Sequence, residues 1–267
     1  MREFNPQELA NTAWAFATAG HAAPALFDPI AAEEAAGRVR ELNPQVLANT
    51  TWAFATAGHA APGLFEAIAE EASGRVREFT PQALANTAWA FATAGHAAPA
   101  LFEAIAIVEE AAGGVREFKP QELANTAWAY AASDHLAVES TLFDQRFARR
   151  CDALTHGFTV RTLCQLHQWR LWYECERACS EGLPGPALLT RCAATFQATK
   201  ARPSRFQRQV AATLVSLGAS VQEEVVLGEA LQPGLGGRLT RRATGSQGGR
   251  AVAFRGARAN WRHAAQA

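Results

Sequence analysis

The chain has 267 residues, a formal net charge of zero and 49% hydrophobic residues, enough to bury a core in one or two domains. It is rich in alanine and poor in β-branched residues, which favours helix. No run of about 18 apolar residues offers a membrane span, no secretory segment follows Met1, and five cysteines confined to residues 151–192 do not make a disulfide framework, so a reducing compartment is expected.

The zero total conceals an asymmetry. Residues 1–140 hold 7 Lys/Arg against 17 Asp/Glu, a net −10, while residues 141–267 hold 18 against 8, a net +10. Such polarity marks an interaction surface at one end.

The stretch PQELANTAWAFATAGHAAP at Pro6–Pro24 returns with small changes from Pro44, Pro81 and Pro120. Its opening (EFxPQ) starts at Glu3, Glu41, Glu78 and Glu117, steps of 38, 37 and 39 residues. A fixed period in this range is the mark of stacked helix pairs. Met1–Phe4 matches the repeat-internal Val76–Phe79, so the chain is expected to begin within a repeat, as a fragment would.

Each unit predicts two helices. Asn5 suits the N-cap, Pro6 the first helical position and Glu8 the acid of a capping box, and Gly20 ends the helix in a left-handed turn. The second helix is expected from Pro24 to Ala36, closed by Gly37. At about 100° per residue, Leu9, Ala13, Phe16 and Ala17 share one face with Ala10 and Trp14 at its edge; Trp52, Trp89 and Trp128, then Phe54, Phe91 and Tyr130, repeat the aromatic places. One unit cannot bury that face alone, but stacked neighbours can. The fold class expected is all-α, a right-handed α-solenoid of four helix pairs over residues 1–154.

A polar strip runs beside the tryptophans. Gln7 and Asn11 recur as Gln45 and Asn49, Gln82 and Asn86, and Gln121 and Asn125, with Thr18, Thr56, Thr93 and Ala132 further on. The inner helices of a solenoid line its binding surface, and amides there suit the base edges of a single strand. Two readings stay open: a ligand-binding row, or an inter-repeat hydrogen-bond ladder, since buried amides pair with nearby groups. Positions 5, 43, 80 and 119 do vary (Asn, Asn, Thr, Lys), as do 8, 46, 83 and 122; discrimination or plain N-cap chemistry both fit them. His21, His59, His96 and His135, one per unit, are too far apart for a shared metal and are expected in the helix-ending turns.

From about Thr141 the pattern degrades. Leu142-Phe143 arrives two residues late and leads into a basic closing helix with Arg149 and Arg150. Helices are expected over 160–179, 186–200 and Ser204–Leu217, the last bringing Arg205 and Arg208, and a strand over Val221–Leu227. Cys164, His167, Cys175 and Cys179 have one-face spacing, yet the two pairs lie roughly 12–16 Å apart along one helix, so no metal is expected. Glu229–Ala267 holds seven Gly, seven Arg and one acid, the composition of a disordered basic tail that holds nucleic acid loosely, or of an out-of-frame translation.

With these residues assembled, the chain resembles the organellar hepta- or octotricopeptide-type helical-repeat proteins that carry a RAP domain, relatives of the FAST kinase-like family. The repeat (FxPQxLANTAWAFA) covers residues 3 to about 150. A second match covers about 165–228, with LHQWRLWYECER, GLPGPALL and SRFQRQVAATLVSLGASVQEEVVL, and resembles the segment leading into a RAP domain, ending at its first strand. The Glu- and Asp-bearing strand, Gly-Pro and His-Phe of that domain do not follow; Ala251–Gly256 stands there instead. The resemblance implies binding of single-stranded RNA in mitochondrial or chloroplast RNA processing, stability or translation, with other proteins of an organellar RNA complex as partners. No kinase loop and no Gly-Lys-Ser/Thr phosphate loop occurs in the sequence. The expectation is a binding protein, with no cofactor, no small-molecule substrate and no membrane. The alternative is a scaffold whose acidic array recruits a basic protein.

Overall fold

The computed structural model describes residues 5–21, 23–35, 38–111, 115–133, 142–177 and 182–199. These fall in one compact unit, Met1–Lys200. The helix expected at Ser204–Leu217 with Arg205 and Arg208, the strand expected at Val221–Leu227, the Gly/Arg-rich tail and His135 lie outside the described residues.

Among the described residues every regular element is helical. The helices are α1 (Pro6–Thr18), α2 (Pro24–Ala35), α3 (Pro44–Ala57), α4 (Pro62–Arg75), α5 (Pro81–Ala94), α6 (Pro99–Ala111), α7 (Pro120–Ser133), α8 (Gln145–Ala153), α9 (Val160–Arg177) and α10 (Pro186–Ala198). Short 3₁₀ turns at Arg38–Glu41, Val76–Glu78, Val115–Glu117 and Thr155–Gly157 lead from one pair to the next.

Local chemistry sets the helix ends. Asn5 Oδ1 accepts from the Glu8 amide and Glu8 Oε2 accepts from the Asn5 amide, both at 2.9 Å, a closed capping box. Asn43 and Thr80 accept from the amides of Val46 and Ala83 at 2.9 and 3.2 Å. Lys119 has no oxygen to offer, and there only the reverse bond survives, its amide donating to Glu122 Oε2 at 2.8 Å. At the other end, Gly58 and Gly95 take φ of 65° and 70°, a conformation glycine enters without steric cost. The next amides, His59 and His96, donate back to the Phe54 and Phe91 carbonyls at 3.1 Å, which completes a Schellman ending. Its customary side-chain contact is present too: the His59 ring lies 5.7 Å from Phe54 and 5.4 Å from Phe27 of the preceding unit. His21, His59 and His96 thus sit in the turns, as expected.

The closest packing runs first helix on first helix, α1 to α3 to α5 to α7, while α2 on α4 and α4 on α6 pack more lightly. Alanines 85, 88 and 92 of α5 and 124 and 127 of α7 are almost wholly buried, and their small side chains let the axes approach. Between units, Phe27 meets Phe54 at 4.9 Å, Phe65 meets Phe91 at 5.1 Å and Phe102 meets Tyr130 at 5.1 Å, all edge to face. The Tyr130 hydroxyl adds a bond to the Phe102 carbonyl at 2.7 Å.

One expected burial fails in the first unit. Leu9, Ala10, Ala13 and Ala17 are buried, but Phe16 and Trp14 remain 39% and 46% exposed. Phe54 is closed by Phe27 from the second helix before it; among the described residues no second helix precedes α1.

The stack continues past residue 154, where the sequence suggested a division. α9 packs on α7 as α7 packs on α5. Phe158–Leu163 (FTVRTL) stands one 40-residue step beyond Phe118–Leu123 (FKPQEL). Thr159 and Thr162 cap the new helix reciprocally, the Thr159 amide donating to Thr162 Oγ1 at 2.8 Å and the Thr162 amide to Thr159 Oγ1 at 3.4 Å. α10 then opens with Pro-Ala-Leu-Leu where α6 opens with Pro-Ala-Leu-Phe, and α8 supplies the fourth second helix. Residues 158–199 therefore form a fifth helix pair.

Candidate nucleic-acid interface

On a mid-array first helix such as α5, Leu84, Thr87, Ala88, Phe91 and Ala92 are buried, Gln82 is exposed, and Asn86 and Thr93 are half-buried. The strip expected from periodicity is thus the outward strip of the first-helix layer. Gln7, Gln45, Gln82 and Gln121 are all exposed. The asparagines grade along the array: Asn11 is exposed, Asn49 and Asn86 are half-buried and Asn125 is buried.

The tryptophans form a row beside the amides. Trp14, Trp52, Trp89 and Trp128 follow one another at 6.1, 6.3 and 6.5 Å between ring centroids, tilted by 35°, 32° and 37°. Their exposure falls in the same direction, from 46% at Trp14 to 1% at Trp128.

Helix α9 covers the buried end of both rows. Gln168 Oε1 accepts from Trp128 Nε1 at 2.8 Å, Gln165 Nε2 donates to Asn125 Oδ1 at 3.2 Å, and the Arg161 guanidinium carbon lies 5.7 Å above the Trp89 ring. Gln165 stands at the asparagine place and Gln168 at the tryptophan place of the fifth unit, one 40-residue step on. Trp89 Nε1 is buried with no hydrogen-bond partner among the described residues, because α7 presents Trp128, which has no acceptor, where α9 presents Gln168. The ladder reading therefore holds at Asn125, whereas Asn11 faces water.

Carboxylates are kept off the strip. Glu8 and Glu122 are turned into helix-start bonds. Glu66 and Glu70 on α4 and Glu103 on α6 are exposed on second helices, and Glu41, Glu78 and Glu117 lie in the 3₁₀ turns. Asp28 of α2 pairs with His59 Nε2 at 2.9 Å. The strip is uncharged from Gln7 to Gln121 and then meets exposed Lys119 and Arg161. Arg149 is exposed on α8, and Arg150 Nε donates to the Phe118 carbonyl at 3.0 Å; both belong to a second helix, not to the strip.

No protein-family model and no curated protein matches the chain.

The remaining reactive groups stay apart. Among the described residues no three His, Cys, Asp or Glu gather as a metal-binding group, and Cys179 lies outside them. The His167 ring packs 4.8 Å from Phe196, and its burial, helped by nearby Arg170, pushes its pKa down. Buried Cys192 is pushed up to about 11 by desolvation, and Cys151 is raised by burial with Asp152 beside it. No described helix is long and apolar enough to cross a membrane.

Sequence reasoning missed Arg161, Gln165 and Gln168 as members of the strip. The available signal was FTVRTL on FKPQEL, masked by the 40-residue step and by the loss of the proline and the tryptophan.

Proposed function

We propose that the array binds single-stranded RNA along its first-helix layer. The observation that carries this reading is the uncharged amide strip, with Gln7, Gln45, Gln82, Gln121 and Asn11 exposed, leading to Lys119 and Arg161. Amides donate to and accept from the edges of unstacked bases, and the cations at its end suit phosphate. Four amide units at about one base each define a short site, so the basic carboxyl half, net +10 over residues 141–267, extends the contact. An organellar role in RNA processing, stability or translation, a right-handed winding of the array and a helical region over 155–228 leading into a RAP-like domain belong to the same reading and rest on the resemblance. The protein binds and carries out no chemistry of its own.

The test is a salt titration of a labelled single-stranded RNA with the full chain. Binding that weakens steeply with salt, and falls about tenfold in a Gln82→Ala/Gln121→Ala/Arg161→Ala variant, is expected. Absence of binding at low salt rejects the reading. A second reading, a scaffold for basic proteins, is favoured by one observation: Glu66, Glu70 and Glu103 stand exposed on the second helices.

A further inference from the structure

The tryptophan row already holds one cation. Arg161, in the first turn of α9, lies over Trp89 on α5, two units back along the stack. A guanidinium within about 6 Å of an indole centroid is held by the negative face of the ring. Stepping this relation back by one and two units pairs Gln121 with Trp52 and Gln82 with Trp14, because Gln82, Gln121 and Arg161 occupy the same place in successive first helices. The residues there are glutamines, which carry no charge. Trp52 is half-buried and Trp14 is 46% exposed.

We propose that Trp14 and Trp52 receive the Lys or Arg side chains of an extended, basic segment of a partner protein. Three features converge on that occupant. The ring type accepts a cation within this molecule, at Trp89. The centroid spacing of 6.1 Å between Trp14 and Trp52 matches the rise of about 6.6 Å over two residues of an extended chain, whose alternate side chains point the same way. The net charge of the repeat sequence is of the attracting sign, with 7 Lys/Arg against 17 Asp/Glu over residues 1–140, and it draws a basic segment in at long range rather than by pairing beside the rings. Asn11 and Asn49, beside these rings, have the donor and acceptor groups to hold the backbone of such a segment. This goes beyond the RNA reading, which rests on the uncharged amides and the cations at the other end of the layer.

The test uses the full chain and a twelve-residue peptide of alternating Lys and Ala, with a Gln-for-Lys control peptide and an oligouridine of twelve nucleotides. Tryptophan fluorescence and calorimetry follow binding. The Lys peptide should bind and shift the fluorescence, and the Gln peptide should not. Trp14→Ala and Trp52→Ala should each weaken the peptide by about fivefold or more. Gln82→Arg and Gln121→Arg, which supply an internal cation to the same rings, should weaken it similarly. Retention of a normal melting curve identifies variants that fold. Equal peptide affinity in the tryptophan and arginine variants overturns the proposal. So does loss of oligouridine rather than peptide in Trp14→Ala, which would make the rings a base-stacking platform. Failure of the wild-type chain to bind the Lys peptide also overturns it, while leaving the oligouridine result to decide the RNA reading separately.

Discussion

Gln165 reaches across from α9 to Asn125 on α7, its amide nitrogen 3.2 Å from the Asn125 oxygen, with both side chains buried. The same residue type does different work along the array, a rung at Asn125 and a free surface amide at Asn11. Replacing Asn125 by Ala strands the Gln165 amide in the interior and should cost about 1–3 kcal/mol. Asn11→Ala should change stability by less than about 0.5 kcal/mol. Urea unfolding of the two variants measures the contrast.

Glycines in this chain should split by conformation. Gly58 and Gly95 hold positive φ, and alanine at either should cost about 1–2 kcal/mol. Gly63, within the first turn of α4 and with open space where a Cβ would stand, should gain up to about 1 kcal/mol as alanine. Gly182 should tolerate no side chain, since a Cβ there collides with the Phe143 carbonyl. Thermal melts rank the four.

Acid should weaken the fifth helix pair through His167. Its folded pKa lies below the ordinary 6.5 because burial disfavours the charged ring. The unfolded chain therefore binds the proton first, so this contribution is full above pH 6.5 and declines as pH falls below it. His167→Gln should flatten the pH dependence of the unfolding midpoint between pH 7 and 5.

Thiol labelling should report the same packing. Cys175 is exposed, whereas Cys151 and Cys192 are buried. With Cys192 pushed up to about 11, only about one molecule in a thousand carries its thiolate at pH 8. Iodoacetamide should modify Cys175 within minutes and reach Cys151 and Cys192 only in denaturant, as peptide mapping would show.

Four helix pairs, their proline starts and their glycine ends were legible in the sequence because each rests on a local rule that Asn5, Pro6 and Gly58 satisfy by themselves. The polar strip was legible for the same reason, since periodicity alone separates Gln82 and Asn86 from Leu84 and Ala88. The fifth pair was hidden. Its first helix replaces Pro by Val160, Asn by Gln165 and Trp by Gln168, and it is recognised by the partners those side chains find in α7. The exposure of Trp14 and Phe16 was equally unreadable, because a face that is apolar in every unit is covered only where a neighbour stands against it.

The contacts Phe27–Phe54, Phe65–Phe91 and Phe102–Tyr130 each tie a unit to the next and to nothing further along. Among the described residues α1 is held from one side, while α7 is held from both, with Gln165 and Gln168 fastening it to α9. Deuterium should therefore enter the amides of α1 before those of α7, the described stack opening as a zipper from the side of Trp14, the most accessible indole among the described residues.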